Sequence, residues 1–182
     1  MKKTVILRLF IAIILVVSVG YIYSELKHDS LAMNEEDRIG SELILKDAEY
    51  KLVFFGYAGC YHFCDPRLKH IDFIYKKIKN DLDVKVLLID ISQESTLEEA
   101  VSFVKETNKE FQAINPDNDS IKVLQKKFQD VFISKMPDGE YLHSGFLYLL
   151  KKQGDKYYLL KTYLEFYDID EVVADIKNIT EK

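Results

Sequence analysis

Apolar and polar positions fall into distinct blocks along the chain. A basic start leads into an apolar run from Leu9 to Tyr23, broken only by Ser18 and Gly20. Counted from Thr4, the span approaches the ~20 residues that a helix needs to cross a bilayer core. Arg8 would snorkel to the interface, and Tyr21 and Tyr23 would sit in the aromatic belt. The pattern predicts an N-terminal transmembrane helix within residues 1–23. A cleaved signal peptide, with Ser18 and Gly20 at the cleavage site, is the alternative. Either way the basic end stays in the cytoplasm and the body lies outside it, on the periplasmic side. Residues 24–49 are polar, carry both signs of charge and read as a spacer.

From Tyr50 the blocks shorten. Leu52-Val53-Phe54-Phe55, stopped by Gly56, reads as a buried strand. Asp65-Pro66 reads as the start of a helix, with Asp65 as N-cap and Pro66 at the first helical position. Leu68, Ile71, Tyr75 and Ile78 then mark its buried face. Val84 to Ile89 has the near-continuous apolar character of a strand covered on both faces. Ser95 and Glu98 match a capping box, followed by a core stripe at Leu97, Ala100, Val101 and Val104. A short strand is expected near Phe111–Ile114, and a third helix around Ile121, Leu124 and Phe128. Val131 to Ile133 is short and apolar. A Pro137-Asp138-Gly139 turn follows. Gly145–Leu150 and Tyr157–Leu164 then form a hairpin through Gln153-Gly154-Asp155. Asp168 caps a last helix whose inner face is Ile169, Val172, Val173 and Ile176. Strands alternating with helices, then a hairpin and a closing helix, predict an α/β fold. Its form is a thioredoxin-like three-layer sandwich over residues 50–182, with a mixed central sheet flanked by helices.

Charge narrows the partners. The 182 residues hold 25 Lys+Arg and 30 Asp+Glu, a net charge of −5. Residues 1–23 carry three of those positive charges and no negative one, so the remainder stands at −8. A body that acidic is unsuited to a phosphate backbone, which excludes nucleic acid as the expected partner. With 48% hydrophobic and 30% charged residues, the composition is that of a folded domain and not of a disordered one. Two cysteines are too few for a disulfide scaffold or a four-cysteine zinc site.

Those two cysteines carry the chemistry. Cys60 and Cys64 stand in Gly59-Cys60-Tyr61-His62-Phe63-Cys64-Asp65-Pro66, a C-x3-C spacing. Helical geometry places positions i and i+4 on one face, and a helix N-terminus favours the thiolate. Soft thiolates select Cu(I) or zinc over hard cations. Two ligands leave a coordination shell incomplete, so a third is expected from elsewhere. His28 lies in the spacer, His62 is offset from the sulfurs, and His70 sits among charges on the first helix. His143 precedes the hairpin strand, and in a thioredoxin-like sheet that loop packs beside the N-terminus of the first helix. A strand-edge histidine bonded to backbone is the other role for His143. The thiols have a second use as well, a redox disulfide between Cys60 and Cys64. The loop it would close is too short to stabilise the fold much.

Leu52 to Leu68, LVFFGYAGCYHFCDPRL, resembles the active segment of the Sco/SenC copper chaperones of cytochrome oxidase assembly. In that family a strand ending in Phe-Gly precedes a C-x3-C-P loop, and a His-Ser pair, here His143-Ser144, precedes a later strand. The resemblance spans about residues 50–165. It implies copper held by Cys60, Cys64 and His143, a single membrane anchor, and delivery to an oxidase subunit or another copper carrier. The chain departs from the family pattern in several places. Leu142 stands where an Asp is usual before the histidine, Tyr61 where a Pro often follows the first cysteine, and Asp65 displaces the Pro after the second. The loop Asp90-Ile91-Ser92-Gln93-Glu94-Ser95-Thr96 keeps little of the family's Asp-Pro loop. These departures bear on the client more than on the metal. A thiol-disulfide reductase acting on client cysteines in the cell envelope is the alternative function for the same thiols.

Overall fold

The computed structural model describes residues 32–34 and 48–181, apart from 129, 130, 138, 155, 165 and 166. The expected membrane span at 1–23 and His28 lie outside the described residues. Among the described residues no helix is long and apolar enough to cross a membrane.

The elements are β1 (Ala32–Asn34), β2 (Tyr50–Gly56), α1 (Cys64–Ile78), β3 (Val84–Asp90), α2 (Leu97–Thr107), β4 (Gln112–Ile114), α3 (Asn118–Lys127), β5 (Ile133–Lys135), β6 (Tyr141–His143), β7 (Leu147–Gln153), β8 (Lys156–Tyr163) and α4 (Ile169–Thr180). Among the described residues, six strands form one mixed sheet in the order β1-β8-β7-β2-β3-β4. β2, β3 and β4 run parallel, and β7, β8 and β1 complete the sheet in antiparallel pairings. β1 comes from the stretch read as spacer, so the sheet begins ahead of Tyr50.

Every residue of β2 is buried, which follows from its central place in the sheet with layers on both faces. Alternation along the strand assigns the two faces. Phe55 packs edge-on against Phe128, which caps α3, and against Tyr148 of β7, with ring centroids 5.0 and 5.9 Å away. Phe54 and Gly56 point the other way, toward Cys64 at the start of α1. The α3 end and the α1 start therefore cover opposite faces, giving the three layers expected. α1 buries Leu68, Ile71, Tyr75 and Ile78 as its spacing predicts. It is tied to the last helix by the Lys77–Asp170 ion pair, and the Lys177–Asp81 pair joins that helix to the turn after α1. The closing helix is capped by Asp168, whose carboxylate accepts from Asp170 N and Glu171 N.

Three local expectations are corrected. α1 begins at Cys64, with Phe63 as its N-cap residue, so Pro66 is its third residue and not its first, and Asp65 lies inside the first turn, where it makes an i,i+4 ion pair with Lys69. The capping box before α2 is Thr96 with Glu99, one residue later than expected. That shift turns Leu97 to solvent and brings Phe103 into the core beside Ala100 and Val104; Val101 is only half-buried.

β5 and β6 pair with each other as a separate two-stranded ribbon, joined by a turn with Gly139 at φ 94°. The register of β2 against β7 pairs Phe54 with Leu147. The chain thus enters β7 at the end of the sheet where β2 leaves it. This topology carries the residues before β7 back to the loop after β2.

Candidate metal centre

The thiols stand outside the carboxyl ends of the parallel strands, where an open α/β sheet leaves room for a site. β2 ends at Gly56, and a turn through Gly59, at φ 89°, brings the chain into α1. The Cys60 N–H donates to the Tyr57 carbonyl at 3.2 Å. The Cys64 N–H donates to the Cys60 carbonyl at 3.1 Å and faces the Cys60 sulfur at 3.3 Å. No side chain of the N-cap residue, Phe63, caps this helix. Cys60 does that work instead, its sulfur and carbonyl taking a donor that the helix start would otherwise leave unpaired. This explains why Asp65 is not the cap.

His143 is the last residue of β6, and it comes to the same place. Its Nε2 lies 3.5 Å from the Cys64 sulfur. The two sulfurs and the imidazole nitrogen all fall within 4.8 Å of one another, and all three residues are buried. Both cysteines are free thiols. The Nδ1 of His143 lies 3.2 Å from the Ser144 carbonyl. A carbonyl can only accept, so Nδ1 donates to Ser144, and Nε2 is the nitrogen that faces the sulfurs. Phe54, Tyr57 and Phe63 surround the imidazole edge-on, with centroids 6.1, 6.1 and 5.6 Å away. The aromatic enclosure restricts the ring to one orientation. His62 and His70 are exposed and stand outside this cluster.

The two thiols are unequal. Cys60 is held well below the usual thiol range, chiefly by the hydrogen bond from the Cys64 thiol, with His143 acting in the same direction. Burial pushes Cys64 up, and the neighbouring Cys60 sulfur adds to this. The pair therefore shares one proton, with Cys60 as the thiolate. Two thiolate sulfurs and an imidazole form a soft, mixed S,S,N donor set, suited to copper or zinc and unsuited to magnesium or calcium.

Sequence patterning did not single out the residues that knit this corner together. Asp90, fully buried at the end of β3, accepts from Ala58 N at 3.1 Å and from Ser92 N at 2.8 Å. It joins the thiol loop to the loop after β3. Burial pushes its carboxyl up, against the pull of those two N–H groups. In turn Glu94 accepts from the Tyr141 hydroxyl at 2.8 Å and pairs with Lys135, which fastens the β5–β6 ribbon to the same loop. Tyr57 is buried and donates its hydroxyl to Glu140. An acid closing an apolar strand was the available signal for Asp90; Tyr57 and Glu94 had none. Beside the sulfurs a cleft of about 410 Å³ opens, lined by Cys60 and His143 and rimmed by the exposed Tyr61, Phe63 and Leu142.

A mixed sheet with helices on both faces and paired cysteines at the turn into the first helix defines a thioredoxin-like domain. A histidine delivered to those thiols by a separate ribbon sets it apart from a plain dithiol site. The chain belongs to the SCO1/SenC family, whose model matches residues 31–181. Among solved structures it is similar to Arabidopsis thaliana ScoI with copper bound, at 20% identity over 81% of this chain and 88% of that one, TM-score 0.67. It is also similar to yeast Sco1 with copper bound, at 17% identity over 81% of this chain and 80% of that one, TM-score 0.65. A SCO1/SenC family lipoprotein from Bacillus anthracis aligns at 17% identity over 73% of this chain and 82% of that one, TM-score 0.62. At these identities the likeness is one of fold. No curated protein matches the sequence.

Proposed function

We propose that this protein is a membrane-anchored copper chaperone that delivers copper to a respiratory oxidase, with Cys60, Cys64 and His143 as the copper ligands. The observation that carries this reading is the convergence of the two sulfurs and Nε2 within 4.8 Å, although His143 lies 79 residues beyond Cys64. Family membership and the copper-bound neighbours support it. The apolar span within residues 1–23 supports the anchor, with the domain on the periplasmic side.

Copper is the cargo, and transfer is ligand exchange. Cys60 is already ionised and takes the incoming ion first. Cys64 gives up its proton as the ion replaces it between the sulfurs. His143 takes the ion through Nε2, the ring nitrogen that faces the sulfurs. The cleft beside Cys60 then admits a client thiolate, which displaces the protein ligands in turn. Both cysteines must be reduced, since a disulfide offers no thiolate.

The unequal thiols favour one second reading, a thiol-disulfide reductase for client cysteines. There Cys60 would attack a client disulfide and Cys64 would resolve the mixed disulfide, leaving the client reduced and this pair oxidised. Cells lacking the protein separate the two. The chaperone reading expects loss of oxidase activity that excess copper restores, and that Cys60→Ser and His143→Ala genes fail to complement. Complementation by His143→Ala, with rescue by an added thiol reductant and not by copper, would favour the reductase.

A further inference from the structure

The ribbon that carries His143 has no backbone ladder to the main sheet among the described residues, because β5 and β6 pair only with each other. The short link into β7 brings His143 near the thiols, and side-chain contacts complete its placement. One fastening is Glu94 with Tyr141 and Lys135, but both Glu94 and Lys135 are about half exposed, where such pairs count for little. Phe54 and Phe63 touch only the imidazole, whereas Tyr57, which is 8% exposed, reaches more of the ribbon. Its carbonyl accepts from the Cys60 N–H at 3.2 Å, so it belongs to the thiol loop. Its ring lies against Tyr141 at 5.4 Å and edge-on to His143 at 6.1 Å. Its hydroxyl donates to Glu140, the residue just before β6. Tyr57 thus holds the turn at Cys60 through its backbone and meets the ribbon at three points, Glu140, Tyr141 and His143.

We propose that Tyr57 is the positioning residue for the third ligand. Its hydroxyl on Glu140 and its ring against Tyr141 and His143 tether the histidine ribbon to the thiol loop, and so set the imidazole against the two sulfurs. The metal readout of this idea rests on the copper reading above; the positioning itself is a property of the metal-free chain.

The test uses the full reduced chain with Tyr57→Phe, Glu140→Ala, Glu140→Gln and the Tyr57→Phe/Glu140→Ala double variant. Tyr57→Phe keeps the ring contacts and removes the hydroxyl, with its hydrogen bonds to Glu140 and to Cys60. In the metal-free protein, the His143 ring protons lie among three aromatic rings and carry ring-current shifts, assigned by their absence in His143→Ala. Tyr57→Phe and Glu140→Ala are each expected to move these signals toward the free-imidazole position. The double variant should move them by less than the sum of the two, since both changes cut the hydroxyl–Glu140 link. Glu140→Gln should keep the wild-type position, because its amide oxygen still accepts. With Cu(II), the first two variants should lose about tenfold in affinity, the size typical of removing a group that orients a metal ligand. They should lose nothing further in a His143→Ala background. A residue that merely stabilised the fold would lower the unfolding midpoint and leave the ring signals in place. Unchanged His143 signals in Tyr57→Phe would overturn the proposal whatever copper does. If wild type binds no copper while the signals move as stated, the positioning stands and the copper reading falls.

Discussion

The Cys64 sulfur lies against the bare face of Gly56: a Cβ added at residue 56 would come within 3.1 Å of it. The same added carbon would meet Phe54 at 3.0 Å and Leu88 at 3.1 Å. Glycine ends β2 because the sulfur occupies the space that any side chain would fill. Gly56→Ala is expected to push the sulfur away from His143 and to destabilise the fold by about 1–3 kcal/mol, the usual cost of overpacking a filled interior. Denaturant unfolding measures the stability loss. A copper titration of the folded variant should show weakened binding at unchanged stoichiometry.

The shared proton of the thiol pair makes a second prediction. Cys60 is lowered and Cys64 raised from the ordinary thiol value. As pH falls from the alkaline side, Cys64 takes its proton first and Cys60 stays a thiolate below the ordinary range. Alkylation of the reduced protein should therefore label Cys60 first, at a rate that holds up at mildly acid pH where a free thiol is unreactive. Copper(I) binding near neutral pH should release about one proton per site, from Cys64, and not two. Peptide mapping after brief alkylation checks the first statement and proton-release calorimetry the second.

Asp90 offers a test away from the metal. Asp90→Ala leaves the N–H groups of Ala58 and Ser92 without their buried acceptor. The expected loss is about 1–3 kcal/mol, together with faster hydrogen exchange in the thiol loop. Asp90→Asn should cost less, since its amide oxygen still accepts. The carboxyl is raised by burial, so its contribution is fullest below the unfolded carboxylate value and falls as pH rises through the native one. The gap between wild type and Asp90→Asn should thus be wider in acid than at neutral pH, read from unfolding at each pH.

The sequence was most legible where packing is two-sided. β2 and β3 are largely apolar on both faces because helices cover both, and a near-continuous apolar run of that length, stopped by Gly or Asp, fits a central strand better than a helix. The buried stripe of α1 was equally plain. What escaped was local competition between near-equal signals. Ser95-Thr96-Leu97-Glu98-Glu99 contains two overlapping capping boxes, and only packing, by burying Phe103 and releasing Leu97, selects Thr96. Asp65-Pro66 carries a helix-start signature, but the Cys60 carbonyl and sulfur take the donor first, and nothing in the spacing reveals a sulfur acting as cap. β1 is three residues long without alternation, and it exists through pairing with β8. At the site, the cysteines announce themselves by type and spacing. His143 was one candidate among four histidines, and its selection needed the topology that returns the chain to the β2 end. Tyr57, Asp90 and Glu94 act through contacts 32 to 83 residues away in sequence, which no local pattern encodes.

The most direct measurement is a copper titration of the reduced protein, with wild type, Cys60→Ser, Cys64→Ser and His143→Ala compared in parallel for Cu(I) and Cu(II). One copper per chain is expected for wild type. Either serine variant removes a soft anionic donor and should abolish tight Cu(I) binding. His143→Ala removes a neutral nitrogen, so it should keep most Cu(I) affinity and lose Cu(II) affinity by roughly ten- to a hundredfold or more, on the scale of disturbing a metal ligand. All three should stay folded, because exchanging cysteine for serine changes little volume at the buried thiols and the Phe55–Phe128–Tyr148 packing lies on the opposite face of the sheet. Wild-type Cu(II) affinity in folded His143→Ala, or tight Cu(I) binding in folded Cys64→Ser, would contradict the three-ligand copper site.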